Sequence, residues 1–131
     1  MSFSYPKNHK LKSKRSIDLL FTKSKSVSKY PLRLVYAVAN DQQMDGEMLK
    51  MGVSVSKKYF KYAVDRNYFK RILRETYRLN QHLLRENLTE PYIFMFFYQT
   101  KDRLSYSEIE EKTIQLFEKW NAEILKQSPK I

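Results

Sequence analysis

The spacing of apolar residues predicts several strands in the middle of the chain. Residues 32–39 and 51–56 follow the two-residue period of a strand, and Asp45-Gly46 between them is a tight-turn pair. We therefore predict that these two strands form a hairpin, with a connection longer than two residues. Residues 92–98 (Tyr-Ile-Phe-Met-Phe-Phe-Tyr) are apolar on both faces, which is typical of a central, buried strand.

Three other segments have the period of a helix. The first lies near residues 13–21, and the polar segment 22–31 after it is expected to be a loop or an edge strand. The second runs from about residue 62 to 84. The third begins at Ser105, because Ser105 and Glu108 have the spacing of a capping box. Its apolar stripe would consist of Ile109, Thr113, Leu116, Phe117, Trp120 and Ile124.

The order of these segments predicts the fold class. A helix, two or three strands, a helix, a strand and a helix indicate an α+β fold in which helices cover a sheet. A chain of 131 residues suits one domain. We expect a flexible basic arm at 1–12, the folded domain at 13–126 and a tail at 127–131.

Cations follow one side of the helix predicted for residues 62–84. They recur at four-residue intervals, with Asn67 and Arg71 beside them: Arg66, Lys70, Arg74 and Arg78. Apolar residues cover roughly the opposite side: Val64, Tyr68, Phe69, Ile72, Thr76, Leu79 and Leu83. Like charges at this spacing repel each other, and the planar fork of arginine pairs well with phosphate. The stripe, with Lys57 and Lys58 in the loop before it, therefore predicts a phosphate-binding surface.

The net charge supports a polyanionic partner. The chain has a formal charge of +11 and a pI of about 9.8, and the excess lies in the N-terminal 30 residues and the central helix, since residues 101–131 are balanced. Such a charge favours nucleic acid or an anionic membrane. No apolar run is long enough to span a membrane. The arginine-rich stripe favours a phosphate backbone, so we expect nucleic acid. The absence of cysteine and of a secretory signal suits a cytoplasmic protein.

The residues give little sign of a protein-borne active site. Neither His9 nor His82 has a Ser/Asp or His/Cys set nearby in the sequence, and the chain has only two glycines, too few for a phosphate-binding loop. Zinc ligands are lacking as well. We therefore expect no catalytic residue, no metal ligand and no organic cofactor. A protein nuclease is the alternative, because residues distant in sequence can meet in the fold.

Aromatic side chains give a second binding signal. If the first helix packs across the sheet, Phe21 would form one wall of a cleft and Tyr36 its floor. Exposed rings in a basic groove stack on single-stranded bases, with about 1–3 kcal/mol per base. The alternative for Tyr36 is a half-buried ring with its hydroxyl in water.

Several segments together resemble one known family, the bacterial ribonuclease P protein subunit. They occur in order as Val53-Ser-Val-Ser-Lys-Lys58, Ala63-Val64, Arg66-Asn67, Lys70-Arg71 and Arg74-Glu75, and the resemblance extends over about residues 10–120. The sequence departs from the family's usual pattern at four places. Tyr68 replaces an arginine, Asp65 an apolar residue, Tyr59-Phe60 a glycine and Tyr98 an arginine.

The resemblance implies a fold, a partner and a substrate. It implies an α/β sandwich of order αβββαβα, with about four strands and a left-handed βαβ crossover. The protein would bind the catalytic RNA, one protein per RNA, and the RNA with its bound Mg²⁺ would remove the 5′ leader of precursor tRNA. Contacts with the catalytic RNA would come from Lys57, Lys58, Arg66, Asn67, Lys70, Arg71, Arg74 and Arg78. The single-stranded leader would lie in a cleft lined by Lys14, Ile17, Phe21 and Tyr36.

Two binding proteins of other kinds are also compatible with the sequence. A ribosomal or other structured-RNA-binding protein would use the same basic helix without preferring a single-stranded 5′ extension. A DNA-binding regulator would use residues 62–84 as a recognition helix, but no second helix is placed to complete a helix-turn-helix.

Overall fold

A computed structural model describes residues 24–39, 44 and 46–127. In these ranges the chain forms β1 (Lys25–Lys29), β2 (Leu32–Val38), β3 (Leu49–Val55), α1 (Ala63–Asn80), α2 (His82–Arg85), β4 (Tyr92–Tyr98) and α3 (Tyr106–Gln127). The α+β class is confirmed. The predicted arm, the predicted first helix and residues 128–131 lie outside the described residues, whereas Gln127, which we assigned to the tail, ends α3.

The four strands form one mixed sheet in the order β1-β2-β4-β3. β2 is antiparallel to both β1 and β4, and β3 is parallel to β4. The polar segment is the edge strand β1, as predicted, but the hairpin between residues 32–39 and 51–56 is wrong. β4 carries apolar side chains on both faces and lies at the centre of the sheet, where β2 and β3 pair with its two backbone edges. Gly46 has a φ of 81° and supplies the expected turn conformation. The connection nevertheless leads from β2 to the far side of β4, where β3 lies.

One face of the sheet packs against α1 and α3. Val27, Leu34 and Phe96 lie in one row across β1, β2 and β4, and all three are buried. Trp120 of α3 lies over the same face, with its ring centroid 5.2 Å from that of Phe94 and 6.0 Å from that of Tyr36. Burial of these large rings contributes to the hydrophobic stabilisation of the domain.

On the other face of the sheet, the described residues are buried at one end and partly exposed at the other. Ala37 and Ile93 are buried there together with Met44, which anchors the connection between β2 and β3. Further along the same face, Arg33 is exposed and its cross-strand partner Phe97 is half-buried. This second face therefore has a closed end at Ile93 and a more open end at Arg33.

Helix α1 packs beside α3 on the same face of the sheet, α1 against β3 and β4 and α3 against β1 and β2. Its buried residues are Phe69, Ile72, Leu73, Thr76, Tyr77 and Asn80. The hydroxyl oxygens of Thr76 and Thr113 lie 3.2 Å apart and join α1 to α3. The helix predicted for 62–84 is divided at Gln81 into α1 and α2. Since β3 and β4 are parallel neighbours, α1 is their crossover; its left-handed sense stays a prediction.

The capping box of α3 is confirmed. The Glu108 N–H donates to Ser105 Oγ at 3.2 Å, and the Ser105 N–H donates to Glu108 Oε1 at 3.0 Å. The hydrogen bonds that the Glu108 carboxylate accepts from Ser105, first from its backbone N–H and then from its side chain, lower the pKa of Glu108 below its ordinary value. The apolar stripe predicted for α3 is buried throughout.

Candidate nucleic-acid interface

The turn between β3 and α1 is fixed by Ser56. Its Oγ accepts the Lys58 N–H at 3.0 Å, and its carbonyl accepts the N–H groups of Tyr59 at 3.1 Å and Phe60 at 3.2 Å. Lys57 and Lys58 are exposed in this turn. Two ammonium groups are thereby presented at fixed backbone positions just before the helix begins.

The outward side of α1 carries Asn67, Arg71 and Arg74. All three are exposed, and at 100° per residue they lie opposite the buried side of the helix. Lys70 is half-buried at the border of this side. Within the described part of the chain, the charged groups of Lys70, Arg71 and Arg74 have no hydrogen bond or ion pair, so their donors are available to phosphate.

The two ends of the predicted stripe already have partners. A step of four residues advances 40° around a helix, so the stripe winds by about 120° between Arg66 and Arg78. Arg66 consequently lies near the core, where its Nη1 donates to the carbonyls of Phe60 at 3.0 Å and Lys61 at 2.8 Å. Arg78 donates from Nε and Nη2 to the two carboxylate oxygens of Glu75. This hydrogen bonding raises the pKa of Arg78.

The contacts of Arg66 predict a structural effect of its removal. Arg66→Ala should lower the free energy of unfolding by about 1–2 kcal/mol, because two hydrogen bonds from a charged donor are lost. Arg74→Ala, in the exposed part of the same helix, should change it by less than about 0.5 kcal/mol. Urea denaturation of both variants measures the difference, and equal stabilities would show that the Arg66 contacts do not hold the turn.

The apolar side predicted for α1 is only partly right. Phe69, Ile72 and Thr76 are buried, but Val64 is 74% exposed and Tyr68 is 42% exposed. Both lie in the first two turns and flank the outward side. Since α3 meets α1 around Thr76, the first turns of α1 lie beyond this helix contact. The predicted Leu79 and Leu83 are half-buried.

The prediction that Tyr36 forms the floor of a cleft is wrong. Tyr36 is 3% exposed and packs against the rings of Tyr92, Phe94 and Trp120 on the helix-covered face. Its neighbours in β2 point the other way because side chains alternate along a strand. The other predicted cleft residues, Lys14, Ile17 and Phe21, lie outside the described residues.

Sequence reasoning missed two arginines that the fold places at exposed positions. Arg33 lies on the open face of the sheet, paired across strands with Phe97, and its Nη2 donates to Ser26 Oγ at 3.4 Å. Arg103 reaches the first turn of α1 from the loop before α3 and pairs with Asp65. Alternation in β2 could have identified Arg33. Arg103 depends on a contact across 38 positions, which local patterns do not predict.

The described residues form neither a metal-binding cluster nor a membrane-spanning helix. No group of three or more His, Cys, Asp or Glu side chains there is arranged to hold a metal ion. In the same part of the chain, no helix is long and apolar enough to cross a membrane. The basic helix and its preceding turn are the best-formed candidate site.

These features define a class: a small α+β protein with a mixed four-stranded sheet and a basic crossover helix. A sequence model of the family described as Ribonuclease P matches residues 5–121. The chain belongs to this family, as the resemblance of its central segments predicted.

Curated relatives agree with this membership, and a solved structure agrees with the fold. The ribonuclease P protein component of Porphyromonas gingivalis is 40% identical over 93 residues, which are 71% of this chain and 66% of the relative. That of Dictyoglomus thermophilum is 31% identical over 92% of this chain and 94% of its own length. The fold is similar to the RNase P protein from Thermotoga maritima, with a TM-score of 0.66, 21% identity, and coverage of 84% of this chain and 96% of that one.

Proposed function

We propose that this chain is the RNA-binding protein component of ribonuclease P and acts in removal of the 5′ leader from precursor tRNA. The observation that carries the proposal is the outward side of α1, where Arg71 and Arg74 are exposed without partners among the described residues. A solvated structural helix gains nothing from such a side, because adjacent like charges disfavour the helix. A phosphate backbone would neutralise them.

The catalytic RNA would bind to α1 and to the turn before it. Arg71 and Arg74 provide planar forks for phosphate, and Lys57 and Lys58 add point charges at one end. Asn67 lies among them and can reach a base edge, a 2′-hydroxyl or a metal-bound water. Contacts of this kind position an RNA by its backbone and depend strongly on salt.

The 5′ leader would lie on the second face of the sheet. Phe97 is half-buried there, and Arg33 is exposed directly beside it. A ring beside a guanidinium suits a single-stranded nucleotide, because the base can stack while the phosphate is paired. Val35, the residue before the buried Tyr36, also lies on this face. It would line the leader site in place of Tyr36.

The chemistry would belong to the RNA partner. Mg²⁺ held by the RNA would stabilise the charge that develops on the scissile phosphate. The protein would reduce repulsion between two polyanions, catalytic RNA and precursor, and would favour precursor over mature tRNA through the leader. Such a protein would work in the cytoplasm, without an organic cofactor and with one copy per RNA.

The test is cleavage of precursor tRNA by a bacterial ribonuclease P RNA at limiting Mg²⁺. Adding the protein should shift the Mg²⁺ concentration for half-maximal cleavage to a lower value, since its cations replace part of the ion atmosphere. A structured-RNA-binding protein without this role would bind both RNAs but leave the Mg²⁺ dependence unchanged. Cleavage by the protein alone would indicate a protein nuclease instead.

A further inference from the structure

Arg103 is a cation outside the basic helix that the fold brings to its first turn. Its guanidinium carbon lies 5.2 Å from the ring centroid of Phe69, 5.7 Å from that of Tyr68 and 5.8 Å from that of Phe60. Its Nη1 donates to Asp65 Oδ1 at 3.1 Å. The side chain is nevertheless 55% exposed. The group is therefore held by rings and a carboxylate while much of its surface faces solvent.

The loop that carries Arg103 is itself held in place. The hydroxyl of the buried Tyr98 donates to the Asp102 carbonyl and accepts the Leu104 N–H at 3.1 Å, so it bonds to both neighbours of Arg103. The Asp102 N–H donates to Thr100 Oγ1 at 3.1 Å. A guanidinium positioned in this way loses less conformational freedom when it binds a ligand.

Arg103 also retains unused hydrogen-bond donors. A guanidinium has five N–H groups, and the bond to Asp65 is its one hydrogen bond among the residues the structure describes. Phe60 connects Arg103 to the first cation of the basic helix. Its carbonyl accepts a hydrogen bond from Arg66, and its ring lies beside Arg103. Two guanidinium groups thus flank the start of α1, just after the Lys57–Lys58 turn.

We infer that Arg103 is a further phosphate contact for the RNA partner, with Asp65 as the residue that positions it and limits its charge. The inference rests on the proposed function. It also accounts for two departures from the family's usual pattern, because Asp65 and Tyr68 are both partners of Arg103. The helix has a ring at position 68 in place of an arginine, and the loop brings a guanidinium to that ring.

The experiment measures binding of the full chain to ribonuclease P RNA as a function of salt concentration. Arg103→Met removes the charge and keeps an apolar stem against the rings. It should reduce the slope of log K against log salt by about 0.7–0.9 and weaken binding several-fold near 150 mM salt. Arg103→Lys should keep the slope but bind more weakly than the wild type, because the fork is lost.

Lys126→Met is the matched control, since it removes one exposed cation at the far end of α3, about 30 Å along the helix from Tyr106. It should leave the slope nearly unchanged. Asp65→Asn introduced into the otherwise wild-type chain should increase the affinity for the RNA. The increase should be smaller when Arg103→Met is also present, because the two residues act together.

Two results would overturn the inference in distinguishable ways. If the wild-type chain binds the RNA and lowers the Mg²⁺ requirement but Arg103→Met has an unchanged slope, Arg103 is only a clamp between the loop and α1. A lower melting temperature with that unchanged slope would identify the clamp directly. If the wild-type chain does not bind the RNA, the proposed function fails, and this inference fails with it.

Discussion

Replacing Lys70, Arg71 and Arg74 together by alanine should weaken binding to ribonuclease P RNA on the order of a hundredfold and leave the fold intact. Three phosphate contacts would be lost, which corresponds to a decrease of about 2–3 in the slope of log K against log salt. The free energy of unfolding should stay the same or rise slightly. Alanine has the highest helix propensity, and the repulsion between Lys70 and Arg74 disappears.

The control for this prediction removes the same number of charges from another helix. Lys112, Lys119 and Lys126 lie on α3, where acidic residues balance the cations. Alanine at these three positions should change the slope much less than alanine on α1. Equal decreases for the two triple variants would mean that RNA responds only to the net charge of the protein, and the outward side of α1 would lose its special role.

The helices could be predicted from sequence because their signals are local. The apolar stripe of α3 repeats over about four turns, and the capping residue Ser105 directly precedes the first residue of the helix, Tyr106, so both its position and its buried face were predicted correctly. The stripe of α1 was placed correctly as a whole. Its winding by 40° for every four residues brings Arg66 close to the core, where Nη1 donates to the carbonyls of Phe60 and Lys61; the contact of Arg66 with the RNA stays a prediction.

The sheet could be predicted only in part, because strand pairing is decided by distant segments. The apolar character of β4 predicted a central strand, and that is confirmed. A turn signal at Gly46 suggested a hairpin, but β4, which comes later in the chain, pairs with both β2 and β3 and separates them; local turn chemistry does not reveal such a pairing. Arg103 shows the same limit at the candidate site, since its partners Asp65 and Tyr68 come from another element.

Tyr36→Ala should destabilise the protein by about 3–5 kcal/mol, the cost of truncating a large aromatic side chain in a core. Tyr36 is buried between Phe94, Tyr92 and Trp120, so its removal leaves a cavity on the helix-covered face. Thermal or urea unfolding measures the loss. Tyr36→Phe keeps the ring and should retain most of the stability. A Tyr36→Ala variant as stable as the wild type would contradict the burial of this ring.

Comparison of Tyr36→Ala with Arg33→Ala tests which face of the sheet binds the leader. The quantity measured is the ratio of the affinities for precursor and mature tRNA. Below its melting temperature, the Tyr36→Ala variant in complex with ribonuclease P RNA should have the same ratio of affinities for precursor and mature tRNA as the wild type, because the ring does not reach the open face. Arg33→Ala should keep its stability within about 0.5 kcal/mol, since the side chain is exposed. It should weaken binding of the precursor more than that of mature tRNA, because only the precursor has a leader to pair with the guanidinium. The opposite outcome, with selectivity lost in Tyr36→Ala and kept in Arg33→Ala, would place the leader on the helix-covered face and refute the assignment of the open face.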